Sequence, residues 1–146
     1  MLRLKPLAHL IAIFCWLTAS AYGAEEAKNV LGKPLARCCT HPMSGVYRDG
    51  YCRTGADDSG THVIAAVMTK EFLLFTQTRG NDLITPDPAH DFPGLKPGDH
   101  WCLCALRWRE AEEAGVAPPL NLNATNQKAL RYIPLKKLQE HGRRGW

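Results

Sequence analysis

The chain lacks any long apolar run beyond its first two dozen residues. A spanning helix needs about 20 consecutive apolar residues, so no later segment is expected to span a membrane as a helix. It has no internal repeat and no low-complexity tract, which excludes solenoid and fibrous architectures. It has no C-x2-C pair, the ligand spacing of zinc ribbons and fingers. It also lacks a strong excess of one charge. Basic residues number 18 against 14 acidic ones, and the doublets Lys136–Lys137 and Arg143–Arg144 lie at the C-terminus, where they read as a solvated end. A nucleic-acid partner would require a basic stripe, so none is expected.

What is present begins with "MLRLKP", an apolar stretch from Leu7 to Leu17, and "TASAYGA". A basic start, a short apolar core and small residues at a cleavage point are the marks of an export signal. Residues 1–24 are expected to be that signal, cut between Ala21 and Ala24, with residues 25–146 as one domain in the periplasm or outside the cell. Cleavage would remove Arg3 and Lys5, lowering the basic count from 18 to 16 against 14 acidic residues, a net charge of +2. It would also remove Cys15, leaving Cys38, Cys39, Cys52, Cys102 and Cys104. Five is odd, so at least one thiol cannot pair within the chain.

A hydrophobic content of 45% with 22% charged residues is that of an ordinary globular domain. "HVIAAVM" (His62–Met68) reads as a strand apolar on both faces, hence central. Thr69 caps a helix over "KEFLLFTQTR", with Phe72, Leu73 and Phe75 inward and Gly80 as its stop. "HWCLCAL" (His100–Leu106) is the second strand, and "RWREAEEAG" a helix ending at Gly115. Val46 and Tyr47 suggest a short strand before the hairpin signal Asp49-Gly50. "VAPPLNLN" suggests an edge strand. Thr125 suits the cap of a short helix through Arg131, and Pro134 opens a last helix ended by Gly142. The fold class is α+β: a small central sheet covered by helices, a two-layer sandwich, with long ordered loops.

Five strings in this order, "NVLGKPL", "GVYRDGYCRTG", "MTKEFLLFTQTRGNDLITP", "FPGLKPGDHWCLCALRW" and "AGVAPPLNLNAT", closely resemble the bacterial domain of unknown function family 2237 from Asn29 to about His141. The resemblance implies a compact single-domain α+β sandwich and no established activity, cofactor or catalytic residue. Two departures stand out. Most members look cytosolic and carry no export signal, and His41 stands where the family pattern "Cys-Cys-x-Asp-Pro" has an acidic residue.

Three constellations are candidates for chemistry. In a strand, residues i and i+2 share a face, so Cys102 and Cys104 project together and Trp101, Leu103 and Ala105 oppositely. Their Cα atoms would be roughly 6.5–7 Å apart, at the long limit for a bridge between them. Their partners would come from Cys38, Cys39 and Cys52. The outcomes open here are disulfides, simple core packing, or a metal set with His41: thiolates with imidazole suit Zn²⁺, thiolates alone suit Cu(I). The second constellation is a nucleophilic cysteine beside His62 or His100, each at a strand start. The third comprises Arg48, Asp49, Arg53, Arg79, Asn81, Asp82 and Asp99 in turns, which either brace the loops or hold an anionic small molecule with Trp101 or Phe92 as a wall. The leading expectation is a small-ligand-binding module where the Arg79–Asp99 loop meets the strands. A thiol-based metal or redox protein, or an enzyme, are the alternatives.

Overall fold

Two apolar runs build the sheet. In the computed structural model, which describes residues 26–143, His62–Val67 forms strand β1 and His100–Cys104 forms strand β2, paired antiparallel. The proposed leader lies outside the described residues. Val63, Ile64, Ala65 and Ala66 are fully buried, because both faces of this small sheet are covered. Ala65 stands opposite Cys102, Ala66 opposite Trp101 and Ile64 opposite Leu103. The register shifts between His62 and Ile64, so that His62 pairs with Cys104. Such a bulge bends a strand end and re-aims its side chains.

Three helices follow the expected order with shifted ends. Helix α1 spans Lys70–Thr78, and Thr69 accepts from the Phe72 N–H at 3.1 Å. Phe72 and Leu73 are buried; Thr76, rather than Phe75, fills the third inward position. Gly80 takes φ +79° just past the helix, the left-handed conformation that glycine adopts without steric cost. Helix α2 spans Ala105–Glu113, two residues earlier than the sequence suggests. The strand stops at Cys104, which becomes the N-cap of α2, and Ala105 donates its N–H to the Thr61 carbonyl at 3.1 Å. Periodicity cannot separate strand from helix within so short an apolar run. Helix α3 spans Leu135–His141, with Pro134 before it and Gly142 after it.

Other expected elements take different forms. Val46 and Tyr47 form no strand: Gly45, Arg48 and Gly50 all have positive φ and wind the segment into turns. The Val116–Asn123 segment contributes bridges from Leu120 to Ala66 and Gly142, not an edge strand. A 3₁₀ turn covers Gln127–Arg131, capped by Asn126, whose side chain accepts from the Lys128 N–H. Thr125 is used elsewhere. Its hydroxyl accepts from the Ala65 N–H at 3.2 Å and donates to the Asn121 carbonyl at 2.8 Å, pinning this segment to β1.

The two faces of the sheet differ in what covers them. Ile64, Ala66, Trp101 and Leu103 join Phe72, Leu73, Trp108 and Leu138 in the main core beneath the helices. Trp108 is fully buried and donates its indole N–H to the Pro118 carbonyl at 3.0 Å. Ala65 and Cys102 instead pack with Cys39, Cys52 and Ala124 in a second, smaller cluster. Loop residues close over it: buried Ser44 accepts from the Cys102 N–H at 2.8 Å, and Gly50 accepts from the Cys38 and Cys39 N–H groups.

Candidate thiol site

The cysteines separate into two groups. Cys52 is bonded to Cys102, and Cys38 to its neighbour Cys39. Cys104 is the free cysteine among the described residues. The bulge in β1 is what gives Cys104 its partner. His62 Nε2 lies 3.1 Å from the Cys104 sulfur. The other ring nitrogen, Nδ1, lies 2.6 Å from Oδ1 of Asp58. Oδ2 of the same carboxylate accepts from the His62 backbone N–H at 2.8 Å. Asp58 therefore holds both the ring and the backbone of one residue, and its side chain is only 1% exposed. With Nδ1–H donating to Asp58, Nε2 faces the sulfur, as in a base whose orientation is set by a third group.

The local backbone is shaped to make this contact. Thr61, immediately before His62, has φ +50°. That is an outlier for a β-branched residue and costs of order 1–3 kcal/mol, a cost that concentrates at functional sites. The Thr61 N–H donates to the Asp58 carbonyl, and the Thr61 carbonyl receives the first N–H of α2, so one strained turn ties Asp58, His62 and Cys104 together. Gly60 lies against the pair: a Cβ there would stand 2.4 Å from His62 Cε1 and 2.9 Å from the Cys104 sulfur. Cys104 caps the nine-residue helix α2, whose N-terminal partial positive charge favours an anion beside it.

Electrostatics follow the geometry. The hydrogen bond with Cys104 raises the His62 imidazole from its ordinary 6.5 to about 9; the charges of Cys104 and Asp58 add to this, and burial opposes it. Burial pushes the Asp58 carboxyl up, but hydrogen bonds from His62 and Thr54, with the His62 charge, outweigh it and hold it below the ordinary carboxylate value. The His62 ring is accordingly expected to keep its second proton through neutral pH and lose it near pH 9. Histidine ring resonances followed by NMR across pH 5–10 would show this. Cys104→Ser should lower the midpoint more than any other single change, since the sulfur is the largest contributor. A wild-type midpoint near 6.5 would contradict the pairing.

The other candidate residues are distributed as follows. His100 begins β2 at the end opposite Cys104, roughly 13 Å along the strand, and burial lowers its pKa. His41 is exposed beside Thr40 Oγ1, apart from the sulfur cluster. The sulfurs of Cys38, Cys52 and Cys102 lie within 4.8 Å of one another. They are the cysteines that Zn²⁺ or Cu(I) would use, and four of the five sulfurs are bonded in pairs.

The charged turn residues do not converge. Arg48 donates to the Met43 and His90 carbonyls and lies over the Trp101 ring at 5.3 Å, while Phe92 meets the same ring edge-on. Asp49 pairs with Arg53 and accepts from the Tyr51 N–H. Arg79 lies over Phe75, and Asn81 donates to Thr76 Oγ1. Asp82 accepts three bonds from Ile84 and Thr85, the hydroxyl of Thr85 foremost in driving its carboxyl below the ordinary range. Asp99 accepts from the Lys96 N–H. It also lines a cavity of about 550 Å³ with His41, Pro42 and Leu95. A larger cavity of about 720 Å³ is lined by Lys28, Tyr47, Tyr51, Arg53, Thr54 and Lys128, among others. Neither cavity is lined by Cys104 or His62, which with Asp58 form a separate site of three functional groups in bonding geometry.

Asp58 went unrecognised in the sequence, where "RTGADDSGT" reads only as a loop. The available signal was an aspartate four residues before a histidine at a strand start, a spacing too common to carry weight alone. Among sequence families, the one described as "uncharacterized protein conserved in bacteria", domain of unknown function 2237, matches residues 28–142. No curated protein matches the chain.

Proposed function

Because the chain belongs to this bacterial family of unknown function, and no activity comes with membership, we propose from the site itself that the protein is a thiol enzyme. Cys104 is its nucleophile, His62 its acid–base and Asp58 the residue that orients His62. The observation carrying this reading is the run of contacts from Asp58 Oδ1 through the His62 ring to the Cys104 sulfur, at 2.6 and 3.1 Å. An imidazolium beside the sulfur favours the thiolate, which is the attacking species. After the sulfur bonds to an electrophilic carbon or sulfur of the substrate, the His62 Nε2 proton passes to the leaving group. Cys104 and His62 are both half-buried rather than sealed, which supports access from the surface.

Alkylation of Cys104 by iodoacetamide at pH 6 tests this. An ordinary thiol with a pKa near 8.5 is only about 0.3% thiolate at that pH. A thiol beside a ring nitrogen that can take up its proton reacts faster. Wild-type protein should therefore react roughly tenfold faster than His62→Gln, with Asp58→Asn between them. Equal rates in wild type and His62→Gln would sink the proposal.

A second reading, a small-ligand-binding module, is supported by the 550 Å³ cavity, whose wall includes Ile84, Pro93, Leu95, Lys96 and Asp99 of the Asn81–Asp99 loop. It becomes the leading reading if Cys104 proves unactivated. Export of the chain is part of the proposal as well. The basic, apolar and small-residue pattern of residues 1–24 supports it, and two disulfides suit an oxidising compartment. Among the described residues, no helix is long and apolar enough to cross a membrane.

A further inference from the structure

We infer that the four remaining cysteines form a two-disulfide relay, in which Cys38–Cys39 passes electrons from an external dithiol to the buried Cys52–Cys102 bridge. Cys52 and Cys102 are 0% and 1% exposed, and the Ser44 loop closes over them. No outside thiol reaches that bridge without opening the fold. Cys38 is half-buried, and its sulfur lies within 4.8 Å of both sulfurs of the buried pair. Its disulfide partner is its sequence neighbour, so opening that bond releases no long loop. The accessible disulfide is thus adjacent to the inaccessible one. Thiol–disulfide exchange needs only a thiolate next to a disulfide sulfur.

The steps balance as follows. A reduced dithiol, small or carried by a protein, attacks the Cys38–Cys39 bond. It leaves as its own disulfide, having delivered two electrons and two protons to Cys38 and Cys39. The Cys38 thiolate then attacks one sulfur of Cys52–Cys102, forming a mixed disulfide and expelling the other sulfur, which takes up a proton. Cys39 attacks Cys38 in turn, restoring the Cys38–Cys39 bond and releasing the second buried sulfur as a thiol. The net result is one buried disulfide reduced and one external dithiol oxidised. Cys104 takes no part, so the relay stands or falls independently of the thiol-enzyme reading.

The full protein treated with dithiothreitol under native conditions tests it, with acid quenching, alkylation and peptide mass mapping over time. Reduction of Cys52–Cys102 should be at least roughly tenfold faster in wild type than in Cys38→Ser/Cys39→Ser, where exchange must wait for unfolding. Equal rates, or a wild type in which Cys38–Cys39 is reduced while Cys52–Cys102 stays oxidised, would overturn the relay. The single variant Cys39→Ser, without added reductant, gives a check that does not depend on the double variant folding. Its unpaired Cys38 should appear partly in a mixed disulfide with Cys52 or Cys102. Finding Cys52–Cys102 alone in that variant would also overturn it.

Discussion

Gly60→Ala is expected to slow alkylation of Cys104 at pH 6 by roughly tenfold, matching the loss in His62→Gln, while leaving the fold intact. The added methyl would stand 2.4 Å from the His62 ring and 2.9 Å from the Cys104 sulfur, distances that no carbon occupies. Something must move, and the backbone need not. Gly60 is not among the glycines with left-handed φ, so the backbone can accept alanine, and the cost falls on the side chains that must yield, about 1–3 kcal/mol. The groups that yield are the ring and the sulfur. The ring cannot swing away without breaking its 2.6 Å contact with Asp58, a carboxylate buried beneath it. The expected result is therefore a folded protein in which Cys104 has lost its contact with the His62 ring. Circular dichroism and a urea midpoint would check the first half, and the alkylation rate the second. An unchanged rate in a normally folded variant would show that the His62–Cys104 contact does not activate the sulfur.

Removing the Cys52–Cys102 bridge has the largest expected effect on stability. The two residues are 50 apart in sequence. Closing a loop of that length removes unfolded-chain entropy worth about 4 kcal/mol at 25 °C on the chain-entropy account. A domain of this size has about 5–15 kcal/mol in total. Cys52→Ala/Cys102→Ala should accordingly lose a large part of its stability. The urea midpoint should fall while the slope of the transition changes little, apart from the effect of a more expanded unfolded state. The bridge also has a local role, since it joins the loop through Cys52 to the face of β2 that the helices leave uncovered. A midpoint that does not move, in the double variant or after reduction of the wild type, would mean that the bridge contributes nothing to the fold.

These two expectations concern opposite ends of a three-residue stretch, Cys102 to Cys104, and the difference between its cysteines was only partly legible in the sequence. Alternation along the strand puts Cys102 on the face away from Trp101 and Leu103, and the split between the two core clusters follows that alternation. The strand rise also disfavours a bridge between the two cysteines, and Cys102 is bonded to Cys52. Nothing in the spacing reveals that β2 ends at Cys104, because the apolar run continues through Leu106 into α2. Nor does it reveal the bulge in β1, which depends on the pairing of two strands about 40 residues apart. Asp58 sits in a loop whose composition predicts turns and nothing more.

By itself the sequence determined the α+β class, the two central strands, the caps at Thr69, Gly80, Pro134 and Gly142, and the family membership. All of these follow from local periodicity, backbone preference or motif order, which neighbouring residues decide among themselves. The tertiary structure decided which sulfurs are bonded and which histidine meets the free cysteine. It also decided that Asp58 is a buried partner rather than a loop charge, and that arginines and aspartates read as one pocket are spread over separate turns. Each of these is a contact between residues far apart in the chain, set by strand register and by the path of the loops over the core. A one-residue change of register exchanges the faces of a strand. The bulge beside His62 is such a change, and it brings the His62 ring to Cys104.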